Sequence, residues 1–135
     1  KEPYVLALMD IDHFKNINDT LGHQTGDKVL RHVASALASQ MRDTDCLFRW
    51  GGEEFAAILP GCCLEQARVV VERIRRHVEA SPYMQYLQPP LPVTISVGFY
   101  CGDESEDDEY VLRVADANLY AAKAAGRNRV VSDAK

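Results

Sequence analysis

The sequence has little of what several protein classes require. Its longest apolar runs, such as Tyr4 to Met9, fall far short of the roughly 20 residues that span a bilayer. Acidic residues outnumber basic ones by 20 to 15, and the net charge of -5 argues against a nucleic-acid-binding groove. The four cysteines show neither CxxC spacing nor partner histidines, so we do not expect a zinc site. We expect the cysteines to be free thiols. The phosphate-binding motifs GxGxxG and GxxxxGK[ST] are also absent. An anionic ligand would therefore need a metal ion or a few placed cations.

What is present is the composition of one folded domain. The chain has 135 residues, of which 47% are hydrophobic and 26% charged, enough to build a core. We therefore expect residues 1–135 to form a single domain. The chain enters an apolar segment directly after Lys1-Glu2-Pro3, with no start Met and no cleavage pattern. This predicts a piece of a longer multidomain protein whose sensor or anchor lies elsewhere.

The pattern of apolar residues and turn residues predicts the order β-α-α-β-β-α-β-α-β. A two-residue Gly51-Gly52 turn with positive φ angles is expected to join the second and third strands as a hairpin. A hairpin among alternating elements favours an α+β fold with a mixed central sheet flanked by helices, rather than a doubly wound domain. The predicted strands are Tyr4–Met9, Cys46–Trp50, Glu53–Leu59, Val93–Tyr100 and Arg129–Ser132. The predicted helices are His13–Thr20, a second from Thr25-Gly26-Asp27 to Met41, Leu64–Val78, and a last one from the acidic run Asp103–Glu109 to Gly126. A polar connection covers Ser81–Pro92.

Carboxylates follow the first strand and the glycine turn. If these two elements are neighbours, Asp10 and Glu53 converge, and their repulsion calls for a hard cation such as Mg²⁺. That arrangement is typical of metal-assisted phosphoryl chemistry, and the two glycines would let phosphates approach the backbone. The alternative is that Asp10 or Asp12 caps the next helix while Glu53 and Glu54 are solvated.

The run Arg49-Trp50-Gly51-Gly52-Glu53-Glu54-Phe55 resembles the signature of GGDEF domains, the catalytic modules of diguanylate cyclases, in its GGEEF form. Three other segments, Asp10–Asp19, Gly22–Asp27 and Ala122–Arg129, resemble further parts of that family. The resemblance implies a nucleotidyl-cyclase or palm-like fold. It also implies the condensation of two GTP molecules into cyclic di-GMP and two pyrophosphates, with one GTP on each of two domains.

The resemblance also implies roles for individual residues. The residues that would bind Mg²⁺, or Mn²⁺ in its place, are Asp10, Ile11 through its carbonyl, Glu53 and Glu54. Glu53 and Glu54 would also be catalytic. Glu54 would assist metal binding or activate the attacking 3′-hydroxyl. Substrate binding falls to Phe14, Lys15, Asn18, Asp27, Gly51, Gly52, Lys123 and Arg127, with Asn18 and Asp27 on guanine.

Simpler interpretations of these residues stay open. Asn18 and Asp27 are also typical of a helix end and of a first helical turn. Lys123 and Arg127, four residues apart, are predicted on one face of the last helix. There they would bind phosphate or simply complement the helix dipole.

The segment Arg42-Asp43-Thr44-Asp45 resembles the RxxD product-inhibition motif of the same family, with Arg73 as a second contact. The alternative is a helix end followed by a turn. Catalysis implies a homodimer of the domain, an upstream sensor or receiver domain outside this chain, and a cytoplasmic location even if the parent protein is anchored to a membrane. Two competing hypotheses are a non-catalytic receptor for GTP or cyclic di-GMP and another metal-dependent nucleotidyl cyclase.

Overall fold

The computed structural model describes residues 2–84 and 89–132. Residues 85–88, within the predicted Ser81–Pro92 connection, lie outside the described residues, as do Lys1 and residues 133–135. The predicted order of elements is confirmed. In chain order they are β1 (Pro3–Ile11), α1 (Phe14–Leu21), α2 (His23–Ala38), β2 (Cys46–Arg49), β3 (Glu54–Pro60), α3 (Leu64–Glu79), β4 (Ile95–Asp103), α4 (Asp108–Ala124) and β5 (Val130–Ser132).

The strands form one sheet in the order β2-β3-β1-β4-β5. β1 is antiparallel to both of its neighbours, and β3 is antiparallel to β2. Only the pairing of β4 with β5 is parallel among the described strands. The predicted α+β fold with a mixed sheet and an antiparallel hairpin is therefore confirmed, and β1 lies at the centre of the sheet.

Helices pack on both faces of the sheet. Alternate residues of β1, from Val5 to Ile11, join a core cluster with α1, α2 and α3, whereas Leu8 joins a smaller cluster with Ala115 and Leu119 of α4. This double burial explains why the first strand is continuously apolar in sequence. No helix in residues 2–84 and 89–132 is both long enough and apolar enough to cross a membrane.

Helix α4 lies very close to β4. A Cβ atom added to Gly98 would lie 2.0 Å from the backbone nitrogen of Leu119, so only glycine allows this approach. The Asn118 amide donates to the carbonyl of Phe99 at 2.9 Å and fixes the helix along the strand. This packing carries the C-terminal end of α4 to the end of β1, where the acidic residues lie.

The predicted start of the second helix is wrong, because α2 begins at His23 and Gly26 lies inside it. α1 packs onto this point so closely that a Cβ on Gly26 would be 1.8 Å from the side-chain oxygen of Asn18. Gly26 is therefore a packing residue rather than a helix boundary. The helix also ends earlier than predicted, at Ala38, which leaves Met41 in the connection to β2.

The predicted two-residue turn is also wrong. β2 ends at Arg49 and β3 begins at Glu54, so residues 50–53 form the connection, and neither glycine in it has a positive φ angle. The Arg49 guanidinium donates to the carbonyls of Gly51 at 3.2 Å and Gly52 at 2.6 Å. These bonds, with that from Trp50 N–H to the Glu54 carbonyl at 2.8 Å, stabilise a wider turn.

Candidate active site

Three carboxylates meet where β1 ends beside the start of β3. The antiparallel register pairs Asp10 with Glu54, and the Ile11 N–H donates to the Glu53 carbonyl at 3.3 Å. Asp10 is only 3% exposed. The helix-capping alternative fails, because His13 occupies the cap position of α1 and no side chain of the described structure caps it.

Lys123 partly offsets this concentration of negative charge. Its ammonium forms an ion pair with Asp10 Oδ2, whereas Oδ1 is buried without a hydrogen-bond partner among the described residues. Burial and the charge of Asp10 raise the pKa values of both Glu53 and Glu54. Burial alone would lower the pKa of Lys123, but the hydrogen bond and charge of Asp10 outweigh it and raise that pKa. The cluster therefore has acceptor capacity that one lysine does not satisfy.

Asp10 and Glu53 line a cavity of about 400 Å³, whereas Glu54 is not part of its lining. Lys123, Lys15 and Arg127 bring positive charge to its lining. The Lys15 side chain is 91% exposed and lies 3.5 Å from Asp19, whereas Phe14 is buried beneath it at 7% exposure. The cavity thus combines acids for a cation with bases for an anion.

Arg127 reaches this cavity by a route that the helical spacing did not predict. α4 ends at Ala124, and Gly126 and Arg127 both have positive φ angles, of 127° and 66°. Their N–H groups donate back to Lys123 and Ala122, in the pattern of a Schellman motif. The prediction that Lys123 and Arg127 share a helix face is therefore wrong, although both line the cavity.

Asn18 and Asp27 lie outside the acidic cavity. Asp27 is exposed and lines a neighbouring cavity of about 290 Å³ together with Arg31, Arg49 and Phe55. Asp27 is the fifth residue of α2, beyond the first turn, so the simple dipole explanation does not apply to it. The Asn18 side-chain oxygen is buried against Gly26 with no partner in the described part of the chain.

The two glycines of the turn have open space where a side chain would otherwise lie. A Cβ on Gly51 would meet Glu54 Cβ at an ordinary 3.8 Å, and one on Gly52 would have no described atom within 4 Å. Neither glycine lines the acidic cavity. Packing within the domain therefore does not require glycine at either position.

Arg42, Asp45 and Arg73 line a third cavity of about 240 Å³ on another part of the surface. The Arg42 guanidinium donates twice to Asp45 Oδ1, at 3.0 and 2.7 Å, and once to the Pro60 carbonyl at 2.9 Å. Arg73 donates to the side chain and the carbonyl of Gln40. Arg42–Asp45 is a turn that follows α2 at some distance, not the end of the helix itself.

These features agree with a comparison against known proteins, in which residues 1–129 match the family described as "Diguanylate cyclase, GGDEF domain". The chain belongs to the GGDEF family. Its diguanylate cyclase relatives are nucleotidyltransferases. The GGDEF domain is 47% identical over 135 residues to the response regulator PleD of Caulobacter vibrioides, a match that covers 98% of this chain and 30% of PleD. The chain therefore spans less than a third of that relative.

Solved GGDEF structures share the fold. The coiled-coil and GGDEF domain of DgcB from Caulobacter crescentus, determined with cyclic di-GMP, is 38% identical with a TM-score of 0.89. That match covers 98% of this chain and 70% of the other. The active GGEEF domain of a diguanylate cyclase from Vibrio cholerae is 32% identical, with a TM-score of 0.88 and coverage of 99% and 85%. The nucleotidyl-cyclase, palm-like class expected from the sequence is thus confirmed.

Three residues of the GGDEF domain matter to the site although sequence reasoning gave them no separate role. Arg49 binds the turn carbonyls, while Arg75 and Asn128 form a hydrogen bond of 2.7 Å behind the cavity. Asp12, expected as a cap, instead accepts from Thr94 and Ser96. The contact of Arg75 with Asn128 and the contacts of Asp12 join residues far apart in sequence, so no local pattern signals them.

Proposed function

We propose that this GGDEF domain is a diguanylate cyclase that condenses two GTP molecules into cyclic di-GMP with release of two pyrophosphates. The observation that carries the proposal is the convergence of Asp10 and Glu53 on a cavity that Lys123 and Arg127 also line, with Glu54 paired with Asp10 across β1 and β3. A relative supports it: the similar GGEEF domain of a diguanylate cyclase from Vibrio cholerae is described as active.

The acidic cluster fits a divalent cation. Asp10 Oδ1 is a buried acceptor without a partner among the described residues, and the charge of Asp10 disfavours ionisation of Glu53 and Glu54. No three His, Cys, Asp or Glu side chains group as a complete metal site in residues 2–84 and 89–132. We propose that Asp10, the Ile11 carbonyl, Glu53 and Glu54 hold Mg²⁺, or Mn²⁺ in its place, and that phosphate oxygens complete the coordination. Such a cation would neutralise charge that develops on the phosphate oxygens.

The substrate would lie across the two neighbouring cavities. Phe14 and Lys15 border the acidic cavity, where Lys123 and Arg127 provide counter-charges for the outer phosphates. The open side of Gly51 and Gly52 leaves room for phosphate beside the turn backbone. Asp27 is an acceptor for the N1 and N2 donors of guanine, and the Asn18 oxygen has no hydrogen-bond partner among the described residues; both favour guanine over adenine.

In the reaction, the 3′-oxygen of one GTP bonds to the α-phosphorus of the other, and the bond from that phosphorus to the pyrophosphate oxygen breaks. The hydroxyl proton needs an acceptor, and we propose Glu54, which pairs with Asp10 across β1 and β3, for this role. Because one domain offers one such site, two copies must face each other, and we propose a catalytic homodimer.

The third cavity supports a product-inhibition site. Arg42 and Asp45 are already aligned by two hydrogen bonds, and Arg73 lines the same cavity. Cyclic di-GMP offers phosphates to the arginines and guanine donors to Asp45. If the inhibition constant for added cyclic di-GMP is the same in Arg42→Ala and wild type, this assignment is wrong.

The domain is proposed to act within a longer signalling protein. The chain corresponds to 30% of PleD, and an upstream sensor or receiver domain would bring two copies together. The cysteines of the domain are free thiols, as is usual in the reducing cytoplasm, where GTP is also available. We therefore propose a cytoplasmic domain with no nucleic-acid partner.

The function is tested by incubating the purified domain with GTP and Mg²⁺ and measuring cyclic di-GMP. Glu53→Ala and Glu54→Ala are each expected to reduce turnover by at least about a hundredfold, the range for loss of a general base or metal ligand. Glu104→Ala, an exposed acid outside the site, is the control. Nucleotide binding without product at any protein concentration would favour a receptor. Equal turnover of ATP would instead favour another nucleotidyl cyclase.

A further inference from the structure

The connection from α4 to β5 contains two consecutive residues in a left-handed conformation. Arg127 has a φ angle of 66° and Asn128 one of 48°. This region is unfavourable for residues with a side chain, although asparagine tolerates it better than most. Such a conformation persists only where surrounding contacts stabilise it. Arg127 is also the residue that reaches the acidic cavity from this connection.

Asp12 holds this connection from the sheet side. Its carboxylate, 6% exposed, accepts hydrogen bonds from Thr94 Oγ1 at 2.7 Å and Ser96 Oγ at 2.5 Å. It also accepts from the backbone N–H of Asn128 at 3.0 Å. Asp12 therefore joins the end of β1, the start of β4 and the residue that follows Arg127.

Helix α3 holds the same connection from the other side. Asn128 Oδ1 accepts from Arg75 Nη1 at 2.7 Å, and its Nδ2 donates to Glu79 at 2.9 Å. Arg75 is itself fixed by Glu72, which accepts from its Nε at 3.0 Å and from Nη2 at 2.7 Å. The Arg75 side chain is only 11% exposed. Three atoms of Asn128 are thus fixed, and each partner except Asp12 belongs to α3.

We propose that Asp12, Arg75 and Asn128 are positioning residues that aim Arg127 into the cavity, where it binds the outer phosphates of GTP. This inference rests on the proposed function. A guanidinium selects phosphate oxygens by direction as well as by charge, so the backbone angle at Arg127 decides whether it reaches them. Arg75 acts through Asn128 from outside the cavity lining, whereas Asp12 borders the cavity and acts through the backbone N–H of Asn128.

The chain offers a matched pair of arginines to separate this role from general stability. Arg75 and Arg76 both donate to Glu72, but only Arg75 reaches Asn128. The substitutions Arg75→Met and Arg76→Met therefore remove similar charges from one helix. A further variant, Asn128→Gly, keeps the left-handed backbone accessible and removes only the side-chain bonds to α3. It remains informative if Arg75→Met does not fold.

Binding is measured by titration calorimetry in the presence of Mg²⁺, with 3′-deoxy-GTP, which has no attacking hydroxyl, and with GMP, which lacks the outer phosphates. Arg75→Met and Asn128→Gly are expected to weaken binding of 3′-deoxy-GTP by roughly tenfold, as for a lost charged hydrogen bond. Binding of GMP is expected to stay unchanged, and Arg76→Met is expected to alter neither. In an Arg127→Ala background, Asn128→Gly is expected to cause no further loss.

Equal losses for both nucleotides, or an additive loss in the Arg127→Ala background, would overturn the positioning role and leave the proposed function intact. Wild-type protein that binds neither nucleotide would overturn the proposed function instead. The positioning role is then decided in the nucleotide-free protein by the NMR resonance of the Arg127 Nε–H group. We expect that resonance to shift in Asn128→Gly but not in Arg76→Met, and an unchanged resonance in Asn128→Gly would contradict it.

Discussion

Gly52 is a residue whose identity the fold of the isolated domain does not explain. Its φ angle is not positive, and a Cβ there would have no described neighbour within 4 Å. A glycine in such a place leaves open space that a ligand could occupy. The consequence is that stability and nucleotide turnover should respond differently to substitution at this position.

Gly52→Ala is expected to leave the free energy of unfolding unchanged or to raise it by up to about 1 kcal/mol, because alanine restricts the unfolded chain. Turnover of GTP is expected to fall by at least about tenfold, since the methyl group would occupy phosphate space. Urea denaturation and a cyclic di-GMP assay measure the two effects. Unchanged turnover in a folded Gly52→Ala protein would show that the substrate does not approach this turn.

The repulsion among the acids predicts a pH-dependent cost in stability. Burial and the charge of Asp10 raise the pKa of Glu53 in the folded domain above its value in the unfolded chain. The contribution of Glu53 to the free energy of unfolding is therefore fully present below the unfolded pKa and is lost as pH rises through the folded pKa. Glu53→Gln is therefore expected to melt a few degrees higher than wild type at pH 8 in metal-free buffer. This difference should shrink as pH falls towards about 4.

Thermal unfolding of the two proteins across this pH range, in the presence of a chelator, measures the effect. Glu104→Gln, which removes an exposed acid elsewhere, serves as the control and should show no comparable gain. A lower melting temperature for Glu53→Gln at pH 8 would contradict the idea that the acids repel one another in the absence of metal.

At the residue scale, sequence identified the acids and the lysine of the site but not how Arg127 enters it. The carboxylates could be anticipated because β1 and β3 are adjacent in the sheet, as the hairpin pattern indicated. The way in which Arg127 enters the cavity could not be anticipated, because its backbone angle depends on Asp12 and Arg75. These two residues lie 115 and 52 positions earlier in the sequence. Spacing within one helix carries no information about such distant partners.

At the element scale, the contact between α4 and β4 fixes where the lysine of the site lies. Helix boundaries were predicted well where a capping glycine ends the pattern, as at Gly22. The boundary at Gly26 was predicted poorly, because this glycine allows close contact with α1 and does not form a turn. A glycine alone does not reveal which of these two needs it meets, because both depend on what packs beside it.

Gly98→Ala is expected to destabilise the domain by about 3 kcal/mol or more, because the added methyl group would lie 2.0 Å from the backbone of α4. Backbone atoms cannot rotate away as a side chain can, so helix and strand must separate. Urea denaturation measures the loss, and Gly52→Ala is the matched control for the same chemical change. Similar stability of the two variants would mean that α4 is not seated as closely as described.

At the scale of the whole molecule, the described part of one domain places Asp10, Glu53 and Glu54 at one site, and the proposed reaction needs two nucleotides held face to face. The fold was predictable from sequence because each element has a strong apolar pattern. The way in which two copies would meet was not predictable from sequence, since it depends on surface residues rather than on a core. Phe48 of the edge strand β2 is 39% exposed, and Trp50 in the connection that follows is 49% exposed.

The rate of cyclic di-GMP formation per domain is expected to rise with protein concentration and to level off once most domains are paired. Below the dissociation constant of the pair, a doubling of concentration should roughly double the specific rate, by mass action. Initial rates over a hundredfold concentration range measure this. A specific rate that is constant throughout, together with a monomeric mass in solution, would contradict the requirement for two copies.

The central position of β1 has a consequence for how such an enzyme can be switched. Asp10 lies on a strand bonded on both sides, so its backbone is expected to exchange hydrogen with solvent only when the whole domain unfolds. The end of the sheet that carries Asp10 is then expected to open only together with the whole domain. Control of the proposed reaction would therefore act on the distance between two rigid halves, while the acids of each half stay in place.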